Sequence, residues 1–210
     1  MTKIILPTGL TESEQALVLR YLEGVAGPGL NWPALVRIFN RLREAIVVIP
    51  GKGTRTFASL YSHLIDSRLT DPFTTALYRF DDVEQQSVSW WAAGAQRIRP
   101  LLEAAGLYAT DDPPTRLLLA YCLYWWQATA KGYAFEVKIF RDLRQCGLRF
   151  VAHDLRLRSE RFTPYDLIMS GFYGDVKTSA YFLTLSGGVL GSDFYIIRLW
   201  LSEARRRTMV

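Results

Sequence analysis

The sequence predicts a mixed α/β protein, with a predominantly helical region at residues 1–112 and a region with a mixed sheet at residues 113–210. Up to about residue 147, apolar residues recur mainly at the spacing of amphipathic helices. From Leu148 the period changes to that of strands, with short runs of aromatic and β-branched residues. The breaker-rich stretch at residues 109–114, Ala-Thr-Asp-Asp-Pro-Pro, supplies the boundary between the two regions.

Capping and breaking residues divide the first region into helices. Thr11 and Glu14 form a capping-box pattern, and Asn31 is a good N-cap before Trp-Pro. The apolar run at residues 45–49 fits either a strand or the buried end of a helix. No pattern of catalytic residues occurs in this region. The predicted helices cover residues 12–23, 32–44, 56–65 and 83–105, with Asp71-Pro72 as a breaker and Pro100 as a kink or break.

The second region predicts helices first and strands afterwards. An apolar helix is expected to end near Lys131-Gly132, and a second helix, which carries Glu136, to stop at Gly147. Glu136 lies beside the apolar stripe of that helix, so its carboxylate needs a partner. The further predicted elements are a strand at residues 148–153, a hairpin at 165–178, a short helix at 178–187, a strand at 194–201 and a basic tail that frays.

The hairpin is the feature that predicts chemistry. Its two apolar runs are joined by Ser170-Gly171, a two-residue sequence typical of a tight turn. Counting outward from this turn places Asp166 opposite Asp175. Lys177 lies two residues beyond Asp175, and because side chains alternate along a strand, both are on the same side. Three ionisable groups are therefore expected on one small patch of sheet.

Asp166 and Asp175 directly opposite each other would repel unless a cation lies between them. Mg²⁺ is a hard cation that proteins hold with one or two carboxylates plus phosphate oxygens. Lys177 beside such an ion could hold a phosphate or orient a hydroxide. The alternative is an exposed hairpin with one Lys–Asp pair and a second aspartate there by chance.

Charge is unevenly distributed along the chain. The 210 residues include 25 Lys/Arg and 20 Asp/Glu, and residues 131–210 carry 13 of the basic and 8 of the acidic residues, so they hold the whole excess of +5. A basic field around an acidic patch favours a polyanionic partner, here nucleic acid, although an ordinary solvated basic surface is the alternative. The arginines concerned are Arg141, Arg144, Arg149, Arg156, Arg158, Arg161, Arg205, Arg206 and Arg207.

The cysteines and the apolar runs predict the compartment. Cys122 and Cys146 both lie in helix-like apolar patterns, and we expect them to be buried, reduced thiols. The longest apolar run, Leu117–Trp126, is too short to span a bilayer. We therefore expect a cytoplasmic protein with no membrane partner.

Over residues 131–201 the order of elements and residues resembles the PD-(D/E)xK nuclease superfamily, which has the restriction-endonuclease-like fold. The resemblance rests on Glu136 in a helix, Asp166 at the start of one strand and Asp175-x-Lys177 in the next. Its Pro-Asp appears here with one inserted residue, as Pro164-Tyr165-Asp166. The resemblance implies an αβββαβ core with a mixed central sheet. It also implies that Glu136, Asp166 and Asp175 hold Mg²⁺ (or Mn²⁺) and that Lys177 positions or activates the attacking water.

These observations support three hypotheses. The first is a metal-dependent DNA endonuclease whose helical N-terminal region serves target choice, partner binding or dimerisation. The second is a catalytically inactive protein on the same fold that binds nucleic acid or a partner. The third is an ordinary α/β domain in which the motif is coincidental. His153, at the end of a predicted strand, is either an additional metal ligand or a structural residue.

Overall fold

The computed structural model describes residues 3–24, 30–179, 190–202 and 205–209, with side chains described as far as residue 198. Helices and a mixed sheet are both present, so the predicted mixed α/β class is confirmed. The helices are α1 (Glu12–Leu22), α2 (Trp32–Leu42), α3 (Phe57–Leu60), α4 (Ser67–Leu77), α5 (Val83–Ala104) and α6 (Pro113–Gln145). The strands are β1 (Lys3–Ile5), β2 (Ile46–Ile49), β3 (Gly53–Thr56), β4 (Val151–Ala152), β5 (Leu167–Met169), β6 (Phe172–Lys177), β7 (Phe194–Ser202) and β8 (Arg205–Met209).

The chain forms two compact units, each made of two segments. One comprises Met1–Thr70 and Trp91–Gln127, and the other comprises Asp71–Trp90 and Ala128–Val210. The second unit contains the hairpin and all the candidate site residues. A functional boundary near residue 112 stays a prediction.

The first unit is mostly helical but also contains a small sheet. The predicted capping box at Thr11 is present, since Thr11 Oγ1 accepts the N–H of Glu14 and the Glu14 carboxylate accepts the N–H of Thr11. The undecided run at residues 45–49 forms β2, which pairs on both sides in an antiparallel sheet of order β1-β2-β3. The sequence did not predict β1 because three residues carry too little periodicity.

The helix breaks predicted at Asp71-Pro72, Pro100 and Lys131-Gly132 are absent, because α4, α5 and α6 continue through them. The helix α6 runs without interruption through Lys131-Gly132 for 33 residues. A glycine inside a helix costs only about 1 kcal/mol relative to alanine, and the neighbouring side chains of Ala130, Ala134 and Phe135 are all buried. Likewise α4 continues through Pro72, after a π-helical turn at Tyr61–Asp66.

The end of α6 is as the sequence predicts. Gly147 has a positive φ of 74° and donates its N–H to the carbonyl of Arg144 at 3.0 Å. Leu148 donates to the carbonyl of Leu143 at 3.0 Å, which completes a Schellman motif. This reversal directs the chain into β4.

The second unit contains a five-stranded mixed sheet of order β4-β5-β6-β7-β8. The pairs β4–β5, β5–β6 and β7–β8 are antiparallel, whereas β6–β7 is parallel. The expectation of a fraying tail is wrong, because residues 205–209 form an edge strand on β7. The predicted helix at residues 178–187 falls mostly on residues 180–189, which lie outside the described residues.

The core of this unit joins α6 to the sheet. From α6, the buried side chains of Phe135, Ile139 and Phe140 pack against Leu167, Val176 and Ile196 of three adjacent strands. Burial of each such side chain is worth about 1.5–3 kcal/mol. The packing places Glu136, next to Phe135, at the edge of the core. Across the described part of the chain, no helix has both the length and the apolar character that a bilayer span requires.

Candidate metal centre

The β5–β6 hairpin has the register that the sequence predicts. Ser170 and Gly171 have positive φ values of 53° and 86°, as a type I′ turn requires. The observed pairs are Met169 with Phe172, Ile168 with Tyr173 and Leu167 with Gly174.

The β5–β6 register ends at the pair Leu167 and Gly174. Backbone hydrogen bonds just beyond the strands build the site, and they leave Asp166 one residue out of the predicted register with Asp175. Asp166 donates its N–H to the carbonyl of Gly174 at 2.9 Å, and His153 donates its N–H to the carbonyl of Asp166 at 3.1 Å. His153, Asp166 and Asp175 therefore come from three neighbouring segments of the sheet.

Asp166 is the centre of this group. Its side chain is 14% exposed, and its Oδ2 atom accepts the N–H of Val176 at 2.7 Å. Burial raises the pKa of Asp166 to about 9, assisted by the charge of Glu136 and by a hydrogen bond with the Asp175 carboxyl. The Val176 N–H opposes this rise in pKa only in part. At neutral pH the carboxyl of Asp166 therefore retains a proton.

Asp175 and Lys177 form an ion pair on the same face of β6. The Lys177 Nζ atom donates to Oδ1 of Asp175 at 2.5 Å. The Asp175 side chain is 15% exposed and that of Lys177 is 34% exposed, so the ammonium group remains accessible from solvent. The predicted shared face is confirmed.

Glu136 reaches the group through His153. The Nε2 atom of His153 lies 3.0 Å from Oε2 of Glu136, and its Nδ1 atom lies 3.8 Å from Oδ1 of Asp166. The histidine side chain is only 5% exposed. Its ring is held edge-on against Phe140, with 5.7 Å between the ring centroids.

The donor set fits a divalent cation. Glu136, His153 and Asp166 each offer a ligand atom, and these atoms all lie within 4.8 Å of one another. Asp175 adds a further carboxylate through its hydrogen bond with Asp166. Several carboxylates crowded in a buried place repel one another, and a bound cation would remove that repulsion.

The structure thus brings together all four residues that the sequence singled out. Glu136 and Asp166 belong to one cluster of potential ligand atoms, the Asp175 carboxyl is hydrogen-bonded to Asp166, and Lys177 binds Asp175. The residue that sequence reasoning left undecided is His153, which lies between two of the carboxylates. The position of His153 at the end of a predicted strand could have indicated its role. Pairing that strand with β5 brings His153 directly opposite Asp166.

Several of the arginines that suggested a polyanionic partner have structural partners instead. Arg141 donates to the carbonyls of Leu77 and Tyr78, at the end of α4. Arg161 is 2% exposed and binds Asp71. Other basic side chains nearby remain on the surface: Arg144, Arg149, Arg156 and Arg158 are exposed, although Arg156 binds Asp154. The side chains of Arg205, Arg206 and Arg207 lie outside the described ones.

The cysteines differ from expectation in one respect. Cys122 is buried in α6, but Cys146 is exposed just after the helix ends. Cys146 follows the last residue of α6 and immediately precedes the chain reversal at Gly147, so it does not lie on the buried apolar face of the helix.

Comparison of the chain with protein-family models, with curated proteins and with solved structures found no match.

Proposed function

We propose that the protein is a metal-dependent nuclease that hydrolyses phosphodiester bonds, with DNA as its substrate. The observation that carries the proposal is the position of Asp166, whose buried carboxyl lies against Glu136 and Asp175. Lys177 is bound to Asp175 at the same place. This is the combination of acidic groups and lysine that the resemblance to the PD-(D/E)xK superfamily implies.

The order of elements supports a restriction-endonuclease-like core. It runs from α6 through β4, β5 and β6 to β7. The parallel pairing of β6 with β7 requires a crossover connection between them, as an αβββαβ core would have.

In this proposal Glu136, Asp166 and Asp175 hold Mg²⁺ or Mn²⁺. The bound ion would supply Lewis-acid stabilisation of charge on the phosphate and an activated water. Asp166 gives up its proton when it becomes a ligand. Lys177, with its ammonium group on Asp175, orients the attacking water or a phosphate oxygen.

The proposal includes a cytoplasmic location, which is supported by two free cysteines. The helical N-terminal region would serve target choice, binding of a partner protein or homodimerisation. The exposed Arg149 and Arg158 are candidates for contacts with phosphates.

A cleavage assay tests the proposal. The full chain is incubated with linear, circular, branched and single-stranded DNA and with RNA, in Mg²⁺, in Mn²⁺ or in EDTA. We expect cleavage of DNA that requires the metal. Asp175→Ala and Lys177→Ala should each reduce the rate by about a hundredfold or more.

The chain offers a matched control for these variants. Lys138 and Asp142 form an ion pair of the same kind on α6, with side chains 33% and 47% exposed. Lys138→Ala should cleave like the wild type. Wild-type cleavage by Asp175→Ala would place the active site elsewhere. No cleavage of any substrate by the wild type would favour the inactive, binding form of the hypothesis.

A further inference from the structure

His153 is held by contacts that fix which of its nitrogens carries a proton. The hydroxyl of Thr163 has one hydrogen, and it lies 2.8 Å from the carbonyl oxygens of both Glu160 and Tyr165. Because that hydrogen is directed to a carbonyl, the hydroxyl can only accept from the Nδ1 atom of His153, 3.3 Å away. Nδ1 therefore carries a hydrogen.

The other nitrogen, Nε2, then points its lone pair at Glu136. It lies 3.0 Å from Oε2 of that carboxylate. Two lone pairs facing each other at this distance repel, so either a proton or a metal ion must lie between them. Two ligands at right angles, each at the usual distance from a transition metal, are themselves about 3.0 Å apart. The spacing of Nε2 and Oε2 therefore suits two ligands of one ion.

We propose that His153 is a metal ligand through Nε2 and that the site consequently prefers a transition-metal ion to Mg²⁺. The inference rests on the metal site of the proposed function but not on cleavage. Mg²⁺ takes oxygen ligands, whereas imidazole suits zinc, cobalt and related ions. With an imidazole added to the carboxylates, the affinity of the site should rise from Mg²⁺ to Mn²⁺ to Co²⁺. Thr163 is a positioning residue, because it fixes the tautomer and the orientation of the ring.

Metal binding without substrate tests this inference. The full chain, with no added histidine tag, is titrated with Co²⁺, Mn²⁺ and Mg²⁺ by calorimetry, and Co²⁺ is also followed by its visible absorption. The wild type should bind Co²⁺ at least about tenfold more tightly than Mg²⁺. His153→Ala and His153→Gln should lose at least about tenfold in Co²⁺ affinity, with a smaller change for Mg²⁺. Thr163→Val should lose Co²⁺ affinity by about 10–100-fold, the usual effect of removing such a partner.

The chain contains only two histidines, so His63 is a matched control. It is exposed in the π-helical turn of the first unit. His63→Ala should keep the wild-type Co²⁺ affinity. Unchanged Co²⁺ affinity in both His153 variants, or equal affinity of the wild type for Co²⁺ and Mg²⁺, would overturn the inference.

Nitrogen NMR of the wild type tests whether Nε2 of His153 binds the metal, even if a variant does not fold. Zn²⁺ should shift the Nε2 resonance of His153 and leave Nδ1 protonated. If the ring instead remains an imidazolium with both nitrogens protonated in saturating Zn²⁺, it is a counter-ion for Glu136 and the inference fails. If Co²⁺ binds as described but no nucleic acid is cleaved, the inference stands and the proposed nuclease function fails.

Discussion

The carboxyl groups of Asp166 and Asp175 share a hydrogen bond at the open end of the β5–β6 hairpin, although both side chains are largely buried. Like charges in such a position destabilise a fold unless a proton or a cation neutralises one of them. The raised pKa of Asp166 means that a proton neutralises the pair in the metal-free protein. In the proposed holoprotein, the metal ion takes the place of that proton.

The stability of the metal-free protein should depend on the ionisation of Asp166. Its pKa of about 9 in the folded chain exceeds its ordinary value of 3.8. The favourable contribution of the protonated carboxyl is complete below pH of about 4 and is lost as the pH rises toward 9. Asparagine resembles the protonated form of Asp166 but does not titrate. In EDTA, the free energy of unfolding of Asp166→Asn relative to the wild type should therefore increase from pH 5 to pH 9. The gain should be at most about 1.4 kcal/mol per pH unit.

Chemical denaturation of both proteins at several pH values measures this difference. Asp111→Asn, a change at an exposed aspartate, serves as the control and should show no such trend. A constant difference between Asp166→Asn and the wild type would mean that Asp166 titrates normally.

Gly174 should not tolerate a side chain. A Cβ atom there would lie 2.1–2.7 Å from ring atoms of Phe194, which packs against the core. Gly174→Ala should therefore destabilise the protein by about 1–3 kcal/mol, the usual cost of overpacking. Gly191→Ala is the control, since nothing lies within 4 Å of its added Cβ. Denaturant melts should separate the two variants, and equal stability would mean that Phe194 does not cover the hairpin.

The turn of the hairpin offers a stabilising substitution. Ser170 has a positive φ of 53°, which costs a residue with a side chain roughly 1–2 kcal/mol. Asparagine tolerates this conformation better, and Asn-Gly is the preferred type I′ sequence. Ser170→Asn should thus raise the melting temperature by about 1–4 °C, in line with a gain of up to about 1 kcal/mol. A lower melting temperature would contradict the observed turn type.

Binding to DNA should weaken as salt increases, and the exposed arginines should contribute to that dependence. Replacing Arg149 and Arg158 together by alanine should reduce the slope of log K against log salt by up to about 1.8, if each contacts one phosphate. Arg20 and Arg68, exposed in the first unit, provide a control pair. Fluorescence anisotropy measures these slopes. If the wild type, the Arg149/Arg158 double variant and the Arg20/Arg68 double variant all have the same slope, Arg149 and Arg158 do not contact DNA.

Local features of the sequence were sufficient to predict the centre of the site. The Ser170-Gly171 turn fixes the hairpin register as far as Leu167 and Gly174, so counting outward was enough to bring Asp166, Asp175 and Lys177 to the same end of the hairpin. Gly147 marked the end of α6 for a similar reason, because its positive φ requires glycine. These predictions succeed because each depends on residues close together in the chain.

Features set by distant partners could not be predicted in the same way. His153 enters the site only because β4 pairs with β5, and Arg141 and Arg161 are held by residues more than sixty positions away. The continuity of α6 through Gly132 depends on burial of the neighbouring side chains, which outweighs the low helix propensity of glycine. Charge counting alone therefore overstated how many arginines are available to a ligand.

The most direct measurement of the central claim is the thermal stability of the protein with and without Mn²⁺ at pH 7. If Glu136, Asp166 and Asp175 hold one ion, Mn²⁺ at about a hundred times its dissociation constant should add about 2.7 kcal/mol, or roughly 5–10 °C in melting temperature. Asp166→Asn should melt above the wild type in EDTA and lose most of the response to Mn²⁺, whereas Asp111→Asn should keep it. If Asp166→Asn melts below the wild type in EDTA and keeps the full Mn²⁺ shift, the carboxylates do not form a shared metal site.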